Sequence, residues 1–495
     1  MINGQTHYED DSLALHTDLY QINMAETYWA EGISERKAVF ELFFRKLPFE
    51  GGYAIFAGLQ RMIEYIEQFH FSESDLAYLR DELGYGDDYL AYLRTLRFNG
   101  TIKSMREGEL VFANEPIVRV EAALAEAQLI ETALLNIVNY QTLIATKAAR
   151  IRSAVGDAPL LEFGSRRAHE MDAALWGARA AIIGGCDATS NVRCGKRFGA
   201  KVSGTHAHAM VQAMQDEYEA FRSYAGRQKK MRRPCVFLID TYDTLKSGIV
   251  NAIRVVQELE IGNLFEGVRL DSGDMAYLSK EVRKLLDNAG FPQTKIYASN
   301  DLDEYTVMSL KAQGAAIDAW GIGTKLITAY DQPALGAVYK LVAIEDENGN
   351  MADTIKISGN PEKVTTPGMK KLYRIINQVN RRSEGDYIAL EDENPAGEKR
   401  LKMFHPVYTY ISKFVTNFEA RELHADIFAG GKLVYDMPQL SSIQAYAKQN
   451  LELLWDEYKR NQNPEQYPVD LSQNCWDNKM NMIQRIKQKV EGSAE

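Results

Sequence analysis

Seven short apolar runs, "PLLEF", "AAIIGG", "AKVSG", "CVFLID", "FEGVRL", "KIYAS" and "AIDAWGIG", follow one another between residues 159 and 323, separated by stretches of helical spacing. Parallel strands cannot be joined by a tight hairpin and need a crossover between them. The alternation therefore predicts a mainly parallel α/β domain, and the number of runs predicts a barrel rather than an open sheet. The runs lead in turn into polar motifs: "EFGSRRAHE", "GCDATSN", "SGTHAHAM", "LIDTYDT", "GVRLDSGD", "YASNDLDE" and "GIGTKL". In a barrel of this kind the loops at the C-terminal mouth aim side chains from many strands at one point, so the motifs predict a single site there.

The flanks differ. "VFELFFRKLP" and "ELVFANEPIVRVEAAL" have strand-like spacing, and "GLQRMIEYIEQFH" between them has helical spacing. An α+β domain is expected over 1–125, the barrel over 126–335, and a C-terminal region over 336–495 that packs partly on the N-terminal domain. Within that last region "ALGAVYKLVAIEDENGNMADTIKIS" reads as paired strands around a glycine-containing turn, and the tail from "SSIQAYAKQNLELLWDEYKRN" as helix.

Charge narrows the ligands. Lys plus Arg number 57 against 68 Asp plus Glu, a formal net charge of −11, so there is no basic field for nucleic acid or an anionic membrane. An anionic substrate must be held by local arginines and backbone amides. Arg166, Arg167 and Arg269 can clamp phosphate or carboxylate, and Asp240, Asp243, Asp271 and Asp274 can hold Mg²⁺ through water or grip ribose hydroxyls. Gly321, Gly323 and Thr324 can bring backbone amides to a phosphate. Together they describe a site for a sugar phosphate carrying a magnesium-bound diphosphate.

No stretch is apolar enough to span a membrane, and the N-terminal "MINGQTHYEDDSLALHTDLY" is acidic with no apolar core. The four cysteines, Cys186, Cys194, Cys235 and Cys475, lack metal-ligand spacing and read as reduced thiols of a cytoplasmic protein. The pair His206 and His208 admits three readings: a metal clip, a catalytic base or nucleophile, and packing at a strand end. The metal clip fails on inventory, because the next histidines, His405 and His424, lie far outside the barrel. No protein-held metal is expected.

These motifs, in this order, resemble the nicotinate phosphoribosyltransferase family, from "LHTDLYQINM" through "FELFFRKLP", "EFGSRRAH", "TSNV", "GTHAH", "IDTYDT", "GVRLDSGD" and "GIGTKL". The resemblance implies an irregular α/β barrel of the type II phosphoribosyltransferase kind with an α+β N-terminal domain and a C-terminal extension. It implies that nicotinate and 5-phosphoribosyl 1-pyrophosphate (PRPP) give nicotinate mononucleotide and diphosphate in NAD salvage, with ATP hydrolysis coupled to the transfer and Mg²⁺ accompanying ATP and PRPP. The histidine of G-T-x-A-H, here His208 behind Gly204 and Thr205, is the one ATP phosphorylates; His206 falls at the variable position. Ala209 and Met210 stand where some relatives carry an acidic residue, which leaves open what orients the His208 ring.

By the same resemblance Tyr20 and Phe163 sandwich the pyridine ring, with Tyr20 supplied by the partner of a homodimer that shares its active sites; read alone, both aromatics fit core positions better, and the motif context reverses that reading. Arg166 and Arg269 lie beside ring and phosphate, and Thr205 beside the base. Ser190 aligns with an aspartate of the nicotinamide-using sibling, so it favours the acid over the amide. Asp240 and Asp271 join His208 and Arg166 as the catalytic set, although Asp271 and Ser272 also read as helix caps. Lys325 reaches phosphate or is simply solvated. A catalytically silent PRPP sensor would be expected to have lost His208 or Tyr20, and an aldolase or isomerase would need a lysine or base at a strand end.

Overall fold

The computed structural model describes residues 12–360 and 363–492. The first eleven residues of the acidic N-terminal stretch lie outside that range. The described residues form two compact units: one of those within 12–142, 334–438 and 446–492, the other of 143–333 with 439–445.

The second unit is the α/β body. Its sheet has six strands in the spatial order Ala188–Thr189, Leu160–Glu162, Ala319–Ile322, Lys295–Asn300, Phe265–Leu270 and Cys235–Leu238. Every pairing is parallel, so all six strands end at one edge of what is a half-barrel. Val202 makes one further parallel bridge to Thr189. The strands are short and mostly apolar, as parallel strands under helices tend to be, and the buried polar residues among them, Glu162, Thr189 and Ser299, lie toward the strands' carboxyl ends. Phe237, Val268, Leu270 and Ile296 form one core with Val211, Phe221 and Val255 from the covering helices.

Two of the expected strands are not strands. "AAIIGG" is the end of the helix Glu170–Ile183, whose residues from Ala174 to Ile183 are all buried. A helix buried on all sides has no polar stripe, so its short apolar run cannot be told from a strand by spacing. The strand that takes its place is the two-residue Ala188–Thr189, and "AKVSG" contributes only the Val202 bridge.

The first unit carries a seven-stranded antiparallel sheet, in which Lys37–Phe44 pairs with Val118–Ala123 on one side and Ala337–Glu345 on the other. The segment after residue 336 thus completes the N-terminal sheet, and the strand pair Ala337–Glu345 and Met351–Asp353 is antiparallel. A second sheet, of four strands, is tied to the short strand pair Ala54–Ile55 and Leu110–Val111 by Arg374, fully buried, which donates to Glu109, to the Leu110 carbonyl oxygen and, within its own sheet, to both oxygens of Asp386. Removing one member of such a buried set leaves an uncompensated charge, so the C-terminal region is structural in its own right. The tail holds the helices Leu440–Leu453 and Gln473–Gly492. No helix among the described residues is long and apolar enough to cross a membrane, and all four cysteines are free and buried.

Candidate active site at the carboxyl edge of the half-barrel

Three carboxyl-edge loops meet around His208. The loop 203–207 crosses from the Val202 bridge to the short helix His208–Gln212, and the side chains of Thr205, His206 and His208 hold it. Arg269 Nη1 donates to Thr205 Oγ1 at 2.7 Å. The backbone N–H of Leu238 donates to His206 Nε2 at 3.1 Å, and His208 Nδ1 lies 3.1 Å from Thr241 Oγ1. The two histidines therefore face different surroundings. His206 packs edge-on against Tyr224, with ring centroids 4.9 Å apart, and burial pushes its pKa down to about 4, so it is a neutral acceptor closing the outer edge of the last strand. His208 is 39% exposed and turns Nε2 toward Asp240 and Asp271, at 4.0 and 3.9 Å.

Asp240 is held rigidly: its Oδ2 accepts from the Asp271 backbone N–H at 2.9 Å and from Ser272 Oγ at 2.7 Å. Its other oxygen, Oδ1, is buried without a hydrogen-bond partner among the described residues. Asp271 accepts from Ser299 Oγ at 2.6 Å, and Arg269 Nη2 lies 3.7 Å from it. Arg269 Nε is likewise buried and unpartnered; burial, reinforced by the charge of Arg166, makes Arg269 less basic than an ordinary arginine. An unsatisfied carboxylate oxygen beside an unsatisfied guanidinium N–H costs stability unless a ligand completes both. Two carboxylates beside a phosphate-bearing substrate are also the donor set that suits Mg²⁺, which binds by one or two carboxylates plus substrate oxygens. No group of three or more His, Cys, Asp and Glu side chains that could hold a metal occurs among the described residues.

A second cluster surrounds Phe163. Its backbone N–H donates to the Ile322 carbonyl oxygen at 2.8 Å, which places the ring against Gly321. A Cβ on Gly321 would fall 2.6 Å from that ring, so glycine makes the room. Beneath it lies Glu162, fully buried, whose carboxylate accepts from the Gly164 N–H and, at 2.5 Å, from Thr189 Oγ1, while its backbone carbonyl accepts from Ser190 N–H at 2.9 Å. Burial raises the Glu162 pKa. This one residue ties the Phe163–Arg166 loop to the Ser190 loop, and Asn191 adds a hydrogen bond to Ser165 Oγ at 3.0 Å. Arg166 is exposed, Ser190 half-buried.

Several sequence readings resolve here. Asp243 and Asp274 are exposed helix caps, accepting from Leu245 and Lys246 and from Tyr277 respectively, so they are not drawn into the cluster. Asp271 does not cap the helix Met275–Asn288, because Asp274 does. Lys325 Nζ, partly exposed, donates to Asp303 Oδ2 at 2.8 Å. Burial alone would raise the Asp303 pKa, but Lys325 and the Thr306 N–H hold it down to about 2. Gly323 and Thr324 open the short helix Thr324–Ile327. Tyr20 lies in the other unit, on the helix Leu19–Ala30, and is 49% exposed. Sequence reasoning missed Glu162, Ser272, Ser299 and Thr241 as members of these clusters; each lies inside or beside a motif already singled out, and nothing in its residue type separates it from its neighbours.

Comparison with known proteins bears on the whole chain. Three family models match: the nicotinate phosphoribosyltransferase N-terminal domain over residues 15–139, the nicotinate phosphoribosyltransferase family over 159–383, and its C-terminal domain over 369–479. The nicotinate phosphoribosyltransferase of Bacillus subtilis is 68% identical over 488 residues, covering 99% of each chain. That of Dictyostelium discoideum is 36% identical over 94% of this chain and 88% of its own. The crystal structure of human nicotinic acid phosphoribosyltransferase superposes with a TM-score of 0.82 at 28% identity, covering 94% of this chain and 99% of that one.

Proposed function

The chain belongs to the nicotinate phosphoribosyltransferase family, and from that premise we propose that it makes nicotinate mononucleotide and diphosphate from nicotinate and PRPP, with ATP hydrolysis coupled through a phosphorylated His208. The observation that carries this reading is the convergence on His208 of two carboxylates, a threonine hydroxyl and, beside Asp271, the half-buried Arg269, whose buried Nε–H has no partner among the described residues.

In this reading Phe163 and the partner subunit's Tyr20 stack on the electron-poor ring, and Ser190 donates to its carboxylate. Arg166 and Arg269 bind diphosphate and carboxylate, with Gly321, Gly323, Thr324 and Thr205 shaping the rest of the pocket. The pyridine nitrogen attacks C1 of the ribose as diphosphate leaves, through a state with positive charge on the sugar and negative charge on the leaving group. Few protons move, so positioning and electrostatic stabilisation supply the rate. Mg²⁺, bound with PRPP and ATP, neutralises diphosphate charge. Asp240 and Asp271 are the residues that would hold its water shell, or the ribose hydroxyls. The working form is a homodimer with shared sites, acting in the cytoplasm in NAD salvage.

A coupled assay with nicotinate, nicotinamide and quinolinate, each with and without ATP, tests this. Product is expected from nicotinate, with an increase on adding ATP. Equal or greater product from either other base, or no ATP effect, contradicts the corresponding part.

A further inference from the structure

The unanswered point in the GTHAH motif is what orients the His208 ring, since no acidic residue follows it. A neutral imidazole carries one N–H, and only the nitrogen without it has a lone pair to give. Among the described residues the ring makes one hydrogen bond, between Nδ1 and Thr241 Oγ1 at 3.1 Å. Nε2, by contrast, stands 4.0 Å from Asp240 and 3.9 Å from Asp271, beyond hydrogen-bond distance, so it has no hydrogen-bond partner among the described residues. Thr241 follows Asp240, whose Oδ2 accepts from the Asp271 N–H and Ser272 Oγ.

We propose that Thr241 is the positioning residue of His208: its hydroxyl oxygen accepts the Nδ1 proton and so leaves Nε2 as the nucleophile, facing the space beside Asp240 and Asp271. The proposal rests on the phosphohistidine reading above. In the step, the Nε2 lone pair forms a bond to the γ-phosphorus of ATP while the bond from that phosphorus to the β,γ-bridging oxygen breaks, and ADP leaves with the electron pair. No proton has to leave the ring. Nδ1 keeps its hydrogen on Thr241, the ring becomes positive, and the two carboxylates about 4 Å away compensate that charge. With the proton on Nε2 instead, the only lone pair would point at Thr241, away from the carboxylates.

The test is ¹⁵N spectroscopy of histidine-labelled full-length chain above pH 8, with the His208 signals assigned by their loss in His208→Ala. Nδ1 is expected at a protonated-nitrogen shift and Nε2 at a lone-pair shift, and phosphorylation by ATP should fall on Nε2. Thr241→Val, which keeps the shape and loses the hydroxyl, should average the two tautomers and slow phosphoryl incorporation about five- to tenfold, the worth of one ordinary hydrogen bond, with KM for nicotinate unchanged. Thr241→Ser should restore both. A wild-type ring protonated at Nε2, phosphate on Nδ1, or a Thr241→Val protein with unchanged tautomer and rate would overturn the assignment. The wild-type spectrum decides even if Thr241→Val does not fold. A wild type with the expected tautomer that takes no label from ATP would leave Thr241 in its contact and remove the phosphohistidine.

Discussion

The backbone N–H of Leu238 donates to Nε2 of His206 at 3.1 Å, so the first histidine of the pair seals a strand edge while the second, with only Ala207 between them, faces Asp240 and Asp271. A buried imidazole used this way must stay neutral, and burial pushes the pKa of His206, like that of His424, down from 6.5 to about 4. The unfolded chain takes up these protons first as pH falls. The stability each residue contributes is therefore complete above pH 6.5 and is lost as pH falls toward 4. A shift of about 2.5 units corresponds to something on the order of 3 kcal/mol per imidazole. Urea unfolding at pH 7 and pH 5 should show the decline. His206→Gln, which offers Leu238 an acceptor that does not titrate, should make it shallower; an unchanged slope would place His206 elsewhere in the balance.

Gly321→Ala puts a methyl group 2.6 Å from the Phe163 ring in a buried layer. Overpacking of that kind costs about 1–3 kcal/mol, and here the ring is what must move. Lower thermal stability is expected together with a raised KM for nicotinate, measured by calorimetry and initial rates. A stability loss with KM unchanged would mean that Phe163 does not touch the base.

Ser190→Asp replaces a donor by a like charge facing the nicotinate carboxylate. The hydrogen bond to a charged group is worth about 1.5–3 kcal/mol, so kcat/KM for nicotinate should fall roughly ten- to hundredfold, and nicotinamide should gain relative to it. If the acid-to-amide ratio does not fall, Ser190 does not face the pyridine substituent.

The half-barrel was legible because its signal is a repeat: an apolar run, a polar motif, a helix. It failed at "AAIIGG", where ten consecutive buried residues, Ala174 to Ile183, erase the helical stripe that spacing depends on. The charged side chains now seen beside His208 stood out in sequence because each lies in a polar motif that directly follows an apolar run. Asp243 and Asp274 looked the same in sequence, and their role as caps depends on where each helix begins. Thr241 and Glu162 were illegible for a different reason. Their partners lie 33 and 27 residues away, so their hydrogen bonds exist only once the strands are side by side. The Arg374 cluster joins groups 265 residues apart and left no local trace.

Tyr20 is 49% exposed, which suits a ring that acts on a neighbouring chain. If it does, a dimer of one Tyr20→Ala chain and one His208→Ala chain holds one site with both defects and one with neither. Activity of about half the wild type is expected in the doubly tagged heterodimer, given a two-fold arrangement. Recovery no better than the parent homodimers would confine Tyr20 to its own chain.

The most direct measurement is of phosphate from γ-labelled ATP on the protein, wild type against His208→Ala, alongside nicotinate mononucleotide formed with and without ATP. The account predicts acid-labile, base-stable label on the wild type and none on His208→Ala. It also predicts that His208→Ala loses ATP hydrolysis and ATP stimulation while slow, ATP-independent transfer from PRPP persists. Label that survives in His208→Ala, or ATP stimulation that survives with it, would contradict the account.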